Sequence, residues 1–280
     1  MRIAYLGPAG TFTEEAAARY DSKAELVPCA TIAAVAAAVR SGDAERGVAP
    51  VENSLQGAVT DTLDVLIHGD GVSVYGELIL PIVHHLLTKP GVMLADVRAI
   101  YSHPQALGQC RDYLDRHLPN VQLRASLSTA AAVEEMLKDD VAAAAIAPRR
   151  AAEIYGAEVV AEGIHDNPNN ATRFLVLATH DHPRTGGDKT SVCFSFPDDR
   201  PGLLYRAMRE VAERNINLSK VESRPTREGL GQYYFLIDLE GHRQDAEVRE
   251  AMDEIARSTS MLKVFGSYPR FIVTKAGTAS

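Results

Sequence analysis

Several large classes of protein are excluded by what the sequence does not contain. No apolar run approaches the ~18 residues needed to cross a bilayer, and Met1 to Leu6 leads straight into Gly7 and Pro8 without the apolar core of a signal peptide. A cytoplasmic protein is therefore expected. Cysteine is scarce: Cys29, Cys110 and Cys193 are an odd number, far apart and without a CxxC pair, which speaks against a disulfide framework and against a structural zinc site. Positive charge is outweighed, with 29 Lys and Arg against 37 Asp and Glu and a formal net charge of -8, and no basic stripe with interleaved aromatics offsets it. Neither nucleic acid nor a membrane surface is expected as a partner. An anionic substrate would have to be held by local donors, such as arginines and helix N-termini.

Neither GxGxxG nor GK[ST] occurs near the glycines at the N-terminus, so a nucleotide is not expected. His84-His85 invites a metal, but adjacent residues on a strand face opposite ways and no third ligand is spaced nearby. No metal is expected there.

What is present is an ordinary globular composition, 46% hydrophobic and 24% charged over 280 residues. That length fits two or three compact units of ~100 to 150 residues. Strand, turn and helix alternate: Arg2 to Leu6, then Gly7-Pro8-Ala9-Gly10 and the capping-box spacing Thr11 to Glu14; Glu25 to Pro28, then Thr31 ahead of a helix Ile32 to Ser41; Gly47 to Val51 ending in Glu52-Asn53-Ser54, then a helix from Thr60. The first glycine turn is either an anion cradle at a helix N-terminus or a plain helix cap. The apolar stretch Val72 to Leu87, broken by Pro81, reads as a crossing into a second lobe, where the pattern repeats. There a strand Arg98 to Tyr101 precedes Ser102-His103-Pro104-Gln105 and one helix to about His117. Ser128-Thr129 caps a helix Ala130 to Leu137, and strands Val141 to Ile146 and Glu158 to Ala161 follow. Such alternation implies an α/β layer with a largely parallel sheet and ligands off the carboxyl ends of the strands. Two crossings, near 75 to 85 and near 160 to 175, imply a hinged cleft.

Asp166 to Phe174 reads as a loop, because Asn and Asp compete with backbone ladders for hydrogen bonds. Thr172 and Arg173 would then stand where a polar loop feeds a buried strand, either as an anion site facing the cleft or as the flank of an Asn-rich turn. Thr179 to Asp188, with two histidines, a proline and Gly186-Gly187, has a linker composition. Beyond it, Thr190 to Phe196, helix Pro201 to Arg214, Leu218 to Arg224, Gln232 to Glu240, helix Asp245 to Ala256 and Leu262 to Tyr268 form a βαββαβ pattern. Tyr233, Phe235, Ile237 and Leu239 are expected to pack on the two helices. Tyr234 and Leu236 on the other face suggest pairing with a second copy.

The motifs Gly7-Pro8-Ala9-Gly10-Thr11-Phe12-Thr13-Glu14, Val51-Glu52-Asn53-Ser54, Ser102-His103-Pro104-Gln105 and Thr172-Arg173-Phe174, in this order, resemble the prephenate dehydratase family. Pro201-Gly202-Leu203-Leu204 and Glu222-Ser223-Arg224-Pro225 resemble that family's ACT regulatory domain. The matches span residues 3 to 270. One departure is that the first regulatory motif usually reads Gly-Ala-Leu.

The resemblance implies a two-lobed, periplasmic-binding-protein-like α/β catalytic unit with a hinged cleft, over residues 1–178. Lobe one takes about 1–76 plus 162–178 and lobe two about 77–161. A linker 179–188, a ferredoxin-like βαββαβ ACT domain 189–272 and a tail 273–280 complete the chain. It also implies a homodimer or homotetramer that converts prephenate to phenylpyruvate with loss of carbon dioxide and water, without a cofactor and under feedback by L-phenylalanine.

By the same resemblance, Thr172 donates to the departing hydroxyl, with Glu52, Asn53, Ser102 and Gln109 as further catalytic residues and Glu52 expected to act as a neutral donor. Arg173, Phe174, Thr11, Ser54, His103, Gln105, Ser128 and Thr129 are implied to bind substrate. Gly202, Leu203, Leu204, Asn217, Leu218, Glu222, Ser223 and Arg224 are implied to bind phenylalanine between two ACT domains. No helical mutase segment precedes Met1, which suggests a form without the fused chorismate mutase. Arogenate as substrate, a solute-binding protein and a regulator with a dead catalytic lobe are the competing readings.

Overall fold

The structure is a computed structural model that describes residues 1–227, 229 and 231–271. The expected tail 273–280 lies outside the described residues. The chain divides into two compact units, Met1–Thr62 with Leu78–Phe174, and Leu63–Glu77 with Leu175–Ser280.

In chain order the elements are β1 (Arg2–Leu6), α1 (Phe12–Tyr20), β2 (Glu25–Cys29), α2 (Ile32–Ser41), β3 (Arg46–Asn53), β4 (Gly57–Ala58), α3 (Thr60–His68), β5 (Ser73–Pro81), β6 (His85–Thr88) and, after a short 3-10 turn Leu94–Asp96, β7 (Ala99–Ser102). Then come α4 (Pro104–Gln109), α5 (Arg111–His117), β8 (Gln122–Ala125), α6 (Thr129–Lys138), β9 (Ala143–Ala147), α7 (Arg149–Tyr155), β10 (Glu158–Ala161) and β11 (Ala171–Ala178). The last six are β12 (Asp188–Ser195), α8 (Leu203–Glu213), β13 (Leu218–Pro225), β14 (Tyr233–Glu240), α9 (Ala246–Ser258) and β15 (Met261–Pro269).

The first sheet runs β2-β1-β3-β11-β5, with β4 on β3, and the second runs β10-β6-β9-β7-β8. Parallel pairs β1/β2, β1/β3, β7/β8 and β7/β9 sit beside antiparallel β6/β9 and β6/β10. The expected α/β alternation is therefore present, in two mixed sheets. Local chemistry explains the helix starts: Thr11, Thr31 and Ser128 each accept from the backbone N–H three residues on, at 3.4, 3.1 and 3.0 Å. Gly42 and Gly156 close α2 and α7 in the left-handed region.

Three local expectations change. The single helix expected up to His117 is two, broken at Cys110. Asp166 N donates to Gln109 O at 2.7 Å and Asp166 Oδ1 accepts from Asp112 N at 3.2 Å, so one aspartate takes the end of α4 and the start of α5. Glu14 closes the capping box on Gly10 N, not on Thr11 N. The loop expected up to Phe174 ends earlier, since β11 starts at Ala171 and carries Thr172, Arg173 and Phe174 as strand residues.

In the second unit, β12 to β15 form an antiparallel sheet of order β13-β14-β12-β15 with α8 and α9, the expected βαββαβ pattern. Val192, Phe194, Ile237 and Leu239 bury against Ala207, Val211, Val248 and Ile255. Tyr233 departs from the expected packing: it is 43% exposed. The other face of β14 is already covered by this chain, for Tyr234 and Leu236 are 8% and 4% exposed. The His68 ring meets Tyr234 edge-on at 5.8 Å, and Lys263 Nζ donates to Ile67 O at 3.1 Å. The segment Leu63–Glu77 thus occupies the place that the sequence offered to a second copy. Thr179 to Asp188 is docked, with His182 N on Ser267 O at 3.1 Å and the Tyr75 ring 4.7 Å from that of His182.

Candidate active site

Within the first unit a cavity of about 230 Å³ opens between the two sheets' helices. Its walls come from the start of α1 (Phe12, Thr13), the ends of β3 and β11 (Pro50, Asn53, Thr172, Phe174), the β5 to β6 connection (Ile82, His84), α4 with its cap (His103, Gln105, Ala106, Gln109) and the cap of α6 (Leu127, Ser128, Thr129). Among the described residues neither Lys nor Arg lines it. The first turns of α1 and α6 reach it, and a helix N-terminus favours an anion through its dipole, although Glu14 and Glu15 offset this in α1.

Asn53 organises the floor. Its Oδ1 accepts from Leu55 N at 3.0 Å and Gln56 N at 3.2 Å, so its Nδ2 must donate on the other side. That nitrogen reaches Asn170 Oδ1 at 2.9 Å and Thr172 Oγ1 at 3.0 Å. A hydroxyl that accepts from an amide keeps its own hydrogen for an acceptor in the cavity it lines. Thr172 and Asn53 are each 8% exposed, so this contact is sheltered from bulk water. Asn170 Nδ2 donates to Gln109 Oε1 at 3.0 Å, and Gln109 Oε1 lies 2.9 Å from His84 Nε2. Burial pushes the His84 pKa down to about 4, so its ring is neutral near pH 7.

Of the residues named from sequence, Asn53, His103, Gln105, Gln109, Ser128, Thr129, Thr172 and Phe174 meet on this cavity; Glu52, Arg173, Thr11, Ser54 and Ser102 are not among its lining residues. Glu52 and Arg173, each next in sequence to Asn53 and Thr172, point to each other at 3.8 Å. The Thr11 hydroxyl donates to Pro8 O at 3.0 Å within its own turn. Ser54 braces the Asn-rich segment, accepting from Ala171 N at 3.0 Å and donating to Asn169 O at 3.2 Å. Ser102, fully buried, donates to Ile146 O at 2.7 Å and ties β7 to β9.

His84 and Asn170 were missed. Asn170 lies in the Asn-rich stretch, where composition marks a loop and nothing more. His84 was weighed only as a metal ligand, and its partner Gln109 is 25 residues away in sequence. Among the described residues no group of three His, Cys, Asp or Glu is placed to hold a metal ion, and no helix is long and apolar enough to cross a membrane.

The second unit holds a separate cavity of about 220 Å³ on the α8 side of β14, lined by Phe196, Arg200, Gly202, Leu203, Leu204, Tyr205, Tyr233 and Phe235 among others. Gly202, Leu203 and Leu204 are among these lining residues, and Gly202 caps α8 at a φ of +87°, a conformation that favours glycine. Asn217, Leu218, Glu222, Ser223 and Arg224 lie elsewhere: Asn217 O accepts from Glu240 N at 2.9 Å, Glu222 pairs with Lys220 at 3.0 Å and Arg224 with Asp64 at 2.5 Å.

Fold and cavity together define an α/β protein with an amide- and hydroxyl-lined cavity, joined to a ferredoxin-like βαββαβ domain. The prephenate dehydratase family model matches residues 3–182 and the ACT domain model matches residues 197–257. The chain is 42% identical to the bifunctional chorismate mutase/prephenate dehydratase of Aquifex aeolicus, with 98% of this chain and 75% of that protein covered. It is 41% identical to the prephenate dehydratase of Mycolicibacterium gilvum, with 95% and 90% covered. The crystal structure of prephenate dehydratase from Arthrobacter aurescens in complex with L-Phe superposes with a TM-score of 0.89 at 39% identity, covering 96% of this chain and 90% of that one. The chain belongs to the prephenate dehydratase family and is an enzyme of that type.

Proposed function

We propose that the first-unit cavity takes prephenate to phenylpyruvate, and that Thr172 supplies the hydrogen bond to the departing hydroxyl. The observation that carries this reading is the Asn53 Nδ2 to Thr172 Oγ1 contact at 3.0 Å, which leaves the threonine hydrogen for the cavity. In the reaction the bond from the ring to its carboxylate breaks and its electron pair enters the ring. The ring to hydroxyl bond then breaks, and the oxygen leaves as water once it has gained a proton. Aromatisation drives both steps, so the protein has to hold a dianion and stabilise charge growing on the leaving oxygen. A free threonine hydroxyl is a very weak acid, so its contribution is a positioned hydrogen bond to the leaving oxygen, and the proton that turns that oxygen into water comes from solvent admitted with the substrate. Removing one such preorganised donor typically costs ~10²- to 10³-fold.

Phe12, Ile82, Ala106 and Phe174 give the ring an apolar seat, while Thr13, His103, Gln105, Ser128 and Thr129 face the charged and hydroxyl groups. Arg173, off the cavity lining but next in sequence to Thr172, is proposed to turn from Glu52 to a substrate carboxylate when the site is filled, since a planar guanidinium matches a carboxylate bidentately. L-Phenylalanine is proposed to bind at the second-unit cavity, with its carboxylate at the start of α8 beside Gly202. It inhibits by favouring one global state of the enzyme. A cytoplasmic homo-oligomer is proposed as well. It is supported by the three free cysteines and by β13, an edge strand whose residues alternate between half-buried and exposed.

The test is phenylpyruvate formation from prephenate by the purified chain, with and without phenylalanine, beside an arogenate control. Turnover of prephenate that phenylalanine lowers is expected. Turnover of arogenate alone would move the assignment to that substrate, and tight binding without turnover of either would make the chain a binding protein.

A further inference from the structure

A relay of side chains runs through the cavity wall, and its direction is fixed at one end by the backbone. Leu55 N and Gln56 N occupy Asn53 Oδ1, so Asn53 presents its NH2 to Asn170 Oδ1. Asn170 then has only its own NH2 to turn toward Gln109, and it does so at 3.0 Å from Oε1. Gln109 Oε1 also lies 2.9 Å from His84 Nε2. An amide oxygen only accepts, so His84 Nε2 carries the hydrogen. The tautomer of a buried imidazole thus follows from two backbone N–H groups on the far side of the site.

The consequence falls on Gln109. Both lone pairs of its oxygen are taken, by Asn170 and by His84, and its Nε2 is buried with no hydrogen-bond partner among the described residues. Gln109 lines the cavity, so the carboxamide is held with two unused hydrogens beside the space that an oxygen-rich substrate would fill. His84 suits the task of a fixed donor: it is 3% exposed and the Phe12 ring meets it edge-on at 5.5 Å. Burial, with His165 and His85 nearby, keeps it neutral and leaves it a single hydrogen.

We infer that His84 is a positioning residue for the dehydration, holding the Gln109 carboxamide by its oxygen so that the amide nitrogen donates to the substrate. The inference rests on the proposed use of this cavity for prephenate, and it adds a residue that the proposed function does not use. His84 acts through Gln109 and not by proton transfer, so what matters is a donor at the position of Nε2, not a titrating ring.

The experiment is a set of turnover measurements on prephenate with the full chain and four variants: His84→Met, His84→Gln, Gln109→Ala and His84→Met with Gln109→Ala. Glutamine places a carboxamide NH2 near the position of the imidazole Nε2, whereas methionine fills the space without a donor. His84→Met is expected to lower kcat/KM by at least ~10-fold, and His84→Gln to stay within about threefold of the parent. In the Gln109→Ala background, His84→Met is expected to change turnover by less than about twofold, because the interaction it removes is already gone. Full activity of His84→Met, an equal loss in His84→Gln, or the same loss repeated in the Gln109→Ala background would overturn the inference. Absence of phenylpyruvate from the parent chain would remove the reading of the cavity itself, and that outcome is seen before any variant is made.

Discussion

Asn53 on β3 and Thr172 on β11, 119 residues apart in sequence, share one hydrogen bond in which the amide donates and the hydroxyl accepts. Its direction matters more than its length. An amide donor beneath the hydroxyl sends the threonine hydrogen upward into the cavity, whereas an acceptor there would draw it down and away.

Asn53→Asp tests that direction with almost no change of shape. The carboxylate still accepts from Leu55 N and Gln56 N, so the turn after β3 survives, but the group facing Thr172 becomes an acceptor. Turnover is expected to fall by ~10²-fold or more, and because the buried carboxylate also faces Asn170 Oδ1 and Ala171 O, the melting temperature is expected to fall as well. Equal activity of the variant would show that the orientation of the threonine hydroxyl is unimportant.

The buried imidazole has a consequence for stability. The His84 pKa is about 4 in the folded chain against an ordinary 6.5, so between these values the unfolded chain takes up a proton that the folded one does not. The folded state is therefore favoured fully above about pH 6.5 and loses stability as the pH falls toward 4, by on the order of 3 kcal/mol for this group. Urea unfolding midpoints between pH 7 and pH 5 should fall less steeply in His84→Gln than in the parent chain.

Glu14 and Arg150 join α1 to α7 inside the first unit. The Glu14 side chain is 6% exposed and accepts from Arg150 at 3.1 Å, while Gly10 N donates to its other oxygen. Arg150→Ala would leave a buried carboxylate with only that backbone donor. Arg150 is itself 40% exposed, so solvent already screens part of the pair, and a loss of about 1 to 3 kcal/mol is expected by chemical denaturation. No change would show that the pair is incidental.

In the second unit Lys189 Nζ lies 3.0 Å from Glu77 Oε1 and 3.9 Å from Asp238 Oδ2, with side-chain exposures of 11%, 3% and 7%. Lys189→Met takes the cation from two buried acids and is expected to cost about 3 kcal/mol, with part recovered by adding Glu77→Gln. Thermal unfolding of the single and double variants reads this directly.

Much of this architecture was legible in the sequence because its causes are local. Thr11, Thr31 and Ser128 announce helices through cap spacing, and the alternation along β14 announces a two-faced strand. The break at Cys110 was not legible, since its cause is Asp166, 54 residues beyond Asp112. The cover over Tyr234 and Leu236 was hidden for the same reason: periodicity marks a face as apolar without saying whether a second copy or Leu63–Glu77 lies on it. At the site, Thr172, Asn53 and Gln109 were named by resemblance. His84 and Asn170 acquire a role only through contacts that cross the chain.

The most direct measurement of the central claim compares phenylpyruvate formation from prephenate by Thr172→Val and Thr172→Ser with that of the parent chain. Valine keeps the shape and removes the hydroxyl, while serine keeps the hydroxyl and removes only a methyl. If the hydroxyl held by Asn53 assists departure of the leaving oxygen, kcat falls by at least ~10²-fold in the valine variant and by less than about tenfold in the serine variant. A valine variant as active as the serine variant would contradict the account.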